Sequence, residues 1–120
     1  MSAHIKKFEP EEEFYFKEGC FIVETSNSAD DGEVSIAQAR VEPGKQTRWH
    51  WLNGTYERYV ILEGTGVVEV GADEPTEVVP GDVVIIPPQT RQRITNTGEG
   101  DLKFLAICTP RFSHRNYYNI

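Results

Sequence analysis

From residue 20 to residue 110 the chain never runs far without a turn signal. Asp31-Gly32, Pro43-Gly44, Asn53-Gly54, Gly64-Thr65-Gly66, Pro80-Gly81, Pro87-Pro88 and Gly98-Glu99-Gly100 follow one another along it. Between them lie segments rich in Val, Ile, Thr and aromatic residues, at 33–44, 46–54, 56–66, 67–81, 82–100 and 101–110. No apolar repeat with the helical period survives across this region, so no helix is expected in it. Short strands punctuated this often build an antiparallel sandwich, jelly roll or small barrel.

The chain has 120 residues, enough for one core but not for two. Residues 20–110 are therefore read as the barrel, 1–19 as an acidic arm packing on it through Phe14, Tyr15 and Phe16, and 111–120 as a tail. A formal charge of −7, with twelve Lys and Arg residues dispersed among acids, argues against a nucleic-acid or anionic-membrane surface. Cys20 and Cys108 are expected to be free and buried rather than bridged. With no membrane-length apolar run and no signal-like start, the expectation is a cytoplasmic protein.

One stretch carries chemistry. In 43–64, "PGKQTRWHWLNGTYERYVILEG", Gly44, His50, Glu57 and Gly64 stand at a spacing that resembles the first motif of the cupin superfamily. In 81–96, "GDVVIIPPQTRQRITN", Gly81, Pro87 and Asn96 match the second motif. Gln89 replaces a glycine there and Gln92 a histidine, while Leu52 replaces the second histidine of the first motif. The resemblance implies an all-β, double-stranded β-helix (jelly-roll) barrel with a small-molecule pocket inside. It also implies a divalent transition metal such as iron, manganese, nickel or zinc.

Carried over position by position, the metal ligands here would be His50, Glu57 and Gln92, because Leu52 offers no donor. One imidazole, one carboxylate and one amide oxygen would hold an ion weakly. The alternative is a metal-free polar cluster in which the same three side chains satisfy one another. His114 could join them only if the tail folded over the barrel mouth.

Strand alternation adds Arg48 to the inner face with His50, and Tyr59 to that of Glu57. Arg48, Tyr59 and Gln92 are then the candidate ligand contacts, Arg48 as a fork for an anionic group or else an ion pair, and Tyr59 chiefly as packing. Trp49 and Trp51 point outward and need cover, from a second subunit in a homodimer or from the N-terminal segment. Asn53-Gly54 is read as the tight turn of a hairpin that folds Glu57 back toward His50.

Two functions follow. One is a metal-assisted enzyme of isomerase, lyase or dioxygenase type acting on a small carboxylated or sugar-derived compound, with His50 and Glu57 catalytic. The other is a metal-free module binding a sugar or small acid. A metal-independent acid–base enzyme would need a second positioned acid, which the motifs do not supply.

Overall fold

The computed structural model describes residues 2–120; Met1, the first residue of the arm, lies outside the described residues. Two antiparallel sheets face each other. The larger contains β1 (Phe14–Phe16), β2 (Cys20–Ser26), β3 (Ser35–Val41), β10 (Leu102–Thr109), β5 (Tyr56–Glu63) and β8 (Val83–Ile86), in that spatial order. The smaller runs β11 (Tyr117–Asn119), β4 (His50–Leu52), β9 (Gln92–Asn96), β6 (Gly66–Val70) and β7 (Thr76–Val78). The all-β antiparallel architecture expected from the turn spacing, and the double-stranded β-helix implied by the resemblance, are the ones adopted.

Alternation explains the interior. On β5 the residues Glu57, Tyr59 and Ile61 are buried, and on β9 Gln92, Ile94 and Asn96 are, as a pleat with one wet face requires. At one end the sheets close over a dry core of Val41, Ile61, Ile86, Ile94, Leu102 and Phe104. Toward the other end they diverge, and a smaller cluster of Leu52, Cys108 and Tyr117, with Phe16 and Phe112 against it, borders a cavity instead. Both cysteines are free and buried.

Several matched motif positions serve this frame rather than chemistry. Asn96 donates to the carbonyls of Val41 (2.9 Å) and Gly100 (2.8 Å) and accepts from the Gly98 amide (2.9 Å), so it pins one loop to β3. Gly64 has φ of +82°, and a Cβ there would lie 2.6 Å from the Asp101 carbonyl oxygen and 3.0 Å from Leu102 Cα. Backbone cannot swing aside as a side-chain end can. Gly64→Ala is therefore expected to cost about 2–4 kcal/mol, read as a lower denaturant midpoint at unchanged slope. A midpoint equal to that of the parent would remove this reason for the glycine.

Two expectations need correction and a third gains detail. Asn53-Gly54 does not close a hairpin: β4 and β5 lie in different sheets, and the turn, with Gly54 at φ +67°, carries the chain across from one to the other. The two tryptophans, half-buried in the single chain, find partners within it. Trp51 stacks on Tyr118 of the tail at 4.4 Å, and the guanidinium groups of Arg91 and Arg93 each sit 4.2 Å from the Trp49 ring centre. Arg48 is exposed, because β4 begins only at His50 and the alternation does not extend back to it.

Candidate functional site

The two sheets contribute different parts of the site. β4 and β9 pair His50 directly with Gln92, placing imidazole and carboxamide on one wall. β5 brings Glu57 and Tyr59 from the opposite wall, and the Tyr59 hydroxyl donates to Gln92 Oε1 across the interior. His50, Glu57 and Tyr59 line the cavity; Gln92 is sealed at 1% exposure. Arg48 does not line it, and contributes backbone only: its amide donates to the Glu18 carbonyl (2.7 Å) and its own carbonyl accepts from His50 Nδ1 (2.7 Å).

The partner that sequence reasoning missed is Glu18. Its Oε2 accepts from His50 Nε2 at 2.8 Å, and its Oε1 takes the Cys20 thiol at 3.4 Å. Burial alone would push the imidazole down, but the adjacent Glu18 carboxylate, with help from Glu57, lifts it to about 9. His50 is thus an imidazolium at neutral pH with both ring N–H groups used. Nothing in the motif spacing signals Glu18, which reaches the site because β1 and β2 fold as a hairpin around it.

The tail adds further groups. β11 pairs with β4, Tyr117 against Leu52 and Asn119 against His50. That pairing stacks the Tyr117 ring on the His50 ring (5.4 Å, 19°) and brings Phe112 and His114 into the cavity lining. The tail does fold over the mouth, although His114 stays exposed there rather than joining the buried trio.

Glu57 stands apart from the satisfied groups. It is 9% exposed, and its Oε1 has no hydrogen-bond partner, as is also true of the Tyr117 hydroxyl. Loss of hydration pushes this carboxyl up to about 7, against the pull of the nearby His50 cation. A buried polar atom without a partner costs free energy comparable to a lost hydrogen bond. Here the atom belongs to a side chain that lines a cavity of about 60 Å³.

The implied metal can be tested on the donors present. Leu52 offers none, the Gln92 oxygen is taken by Tyr59, and both His50 nitrogens are engaged. Among the described residues no group of three His, Cys, Asp or Glu side chains is arranged to hold an ion. In this arrangement the site does not fit a divalent cation.

A two-sheet β-helical barrel with one polar, aromatic-walled hollow defines the class of protein: a small-molecule cupin scaffold. The chain belongs to the Cupin domain family, whose pattern it matches over residues 37–108. It is 39% identical over 82 residues to an uncharacterized protein of Methanocaldococcus jannaschii, covering 68% of this chain and 65% of that one. It is also 38% identical over 73 residues to an oxalate-binding protein of Thermotoga maritima, covering 60% and 59%. The matches thus span less than two thirds of the length of these curated relatives. In fold it is similar to Pac13, a nucleoside dehydratase, with a TM-score of 0.78, 19% identity, and 98% and 92% of the two chains covered. No helix among the described residues is long and apolar enough to cross a membrane.

Proposed function

We propose that this cupin binds a small organic molecule in its barrel without a resident metal, with Glu57 as the principal polar contact and the Tyr59–Gln92 pair holding the wall behind it. The observation that carries this reading is the closure of His50 on Glu18 and the Arg48 carbonyl. A ligating imidazole needs a free nitrogen lone pair, and this one has none to give. A divalent ion on His50, Glu57 and Gln92, the other reading of the motif, would have to break the contacts of Glu18 and Tyr59 first.

The test is metal analysis of untagged protein incubated with iron, manganese, nickel and zinc and then desalted. Less than about one ion per ten chains is expected, by the loss of donors argued above. A stoichiometric ion that disappears in His50→Ala would overturn the proposal.

A second reading, proton transfer by His50 and Glu57 on the bound molecule, is favoured by one specific observation. Glu18 is the second positioned acid that the motifs lacked, and Glu57, at about 7, is poised to exchange protons near neutrality. The anionic-group contact expected of Arg48 would need its exposed side chain to turn in from the rim.

A further inference from the structure

The charge around the cavity is predominantly negative. Glu18, Glu24 and Glu57 line it, and among the described residues no Lys or Arg does. His50 is already neutralised by Glu18, which leaves Glu57 deep in the cavity and Glu24, which accepts from Asn27 (2.8 Å), at its rim. An anion placed here would meet two carboxylates and no available cation. The ligand named for the Thermotoga maritima relative, oxalate, is therefore a poor guide to this chain's ligand.

The walls make a second, independent argument. Phe16, Phe112 and Tyr117 all line the cavity and stand nearly perpendicular to one another, at 87° for Phe16 and Phe112, 71° for Phe16 and Tyr117, and 73° for Phe112 and Tyr117. These are edge-to-face contacts among the rings themselves, and with Tyr117 also stacked on His50 and carrying Lys17 Nζ 4.8 Å from its ring centre, they give the cavity an apolar aromatic wall. Beside this wall Glu57 lines the cavity, its Oε1 buried and unpartnered. An acidic lining without a free cation, together with an apolar aromatic wall, selects for positive charge on an apolar body.

We propose that the cavity takes a small organic ammonium cation, its charge toward Glu57 and its alkyl groups against the wall of Phe16, Phe112 and Tyr117. The proposal rests on reading the barrel as the small-molecule site and adds the charge class of the ligand. Phe112 and Phe16 are then specificity-determining contacts, and the tail, which carries Phe112 and Tyr117, completes the site.

The experiment compares three soluble probes by calorimetry and by amide shifts of the labelled protein at pH 8: choline, its uncharged carbon isostere 3,3-dimethylbutanol, and oxalate. Choline is expected to bind at least tenfold more tightly than the isostere, with shifts confined to β1, β5, β10 and the tail, and oxalate not to bind. Glu57→Gln should erase the preference for choline over the isostere while leaving the isostere's affinity in place; Phe112→Leu should weaken choline at least fivefold. Equal binding of choline and isostere, or a preference for oxalate, overturns the cation proposal and leaves the barrel a small-molecule site. Failure of all three probes to shift any cavity residue overturns both.

Discussion

Glu18→Leu is expected to destabilise the protein by about 3 kcal/mol at pH 6, and by much less at pH 9.5. The reason is the buried pair it breaks, His50 Nε2 to Glu18 Oε2 at 2.8 Å, with side chains 3% and 15% exposed. Removing one member of such a pair leaves a charge with no partner in a dry site, a loss on the order of 3 kcal/mol. The pH dependence has a definite sign. His50 is raised from 6.5 to about 9 in the folded protein, so its contribution is fully present below 6.5 and disappears as pH rises through 9. That span corresponds to roughly 3 kcal/mol. In Glu18→Leu the imidazole must fold uncharged, and the deficit should close as the parent also loses its proton. Denaturant midpoints at both pH values, with the His50 imidazole followed by NMR, check this. A deficit of equal size across the range would assign the cost to packing and dissolve the pair.

The opposite outcome is expected at the neighbouring carboxyl. Glu57→Gln should stabilise the protein above pH 7 by about 2–3 kcal/mol and leave it unchanged near pH 4. Burial raises Glu57 from 4.5 to about 7. The folded state therefore holds this proton more tightly than the unfolded chain does. Stability from this group is complete below 4.5, declines as pH rises through 7, and above that the barrel carries a carboxylate with an unpartnered oxygen. A neutral carboxamide removes that burden while occupying the same space. Midpoints for parent and variant at pH 4 and pH 8 give the difference directly; a variant less stable than the parent at pH 8 would mean Glu57 is satisfied by groups other than a ligand. Active sites commonly retain such locally unfavourable charges because binding relieves them.

These two carboxylates were not equally visible in the chain. Glu57 follows from the motif spacing and from strand alternation, which holds wherever the strand is regular: Glu57, Tyr59 and Ile61 all face in. The same argument failed for Arg48 because the pleat starts at His50, and a residue in non-strand backbone inherits no parity from the strand after it. Gly64 and Asn96 were legible only as motif matches, and their part in holding backbone together came from the structure.

Sequence alone determined the all-β barrel, its family and the inward aim of His50 and Glu57, since local turn chemistry and the two-residue period of a strand are written in neighbouring residues. It could not determine what meets those side chains. Glu18 arrives through the β1–β2 hairpin, and Phe112, His114 and Tyr117 arrive because β11 pairs with β4. Such contacts join segments distant along the chain through strand pairing, whose partner choice depends on the whole folded arrangement and leaves no mark in the spacing of either segment. They turn a motif that reads as a depleted metal site into a closed ion pair beside an open, acidic, aromatic hollow.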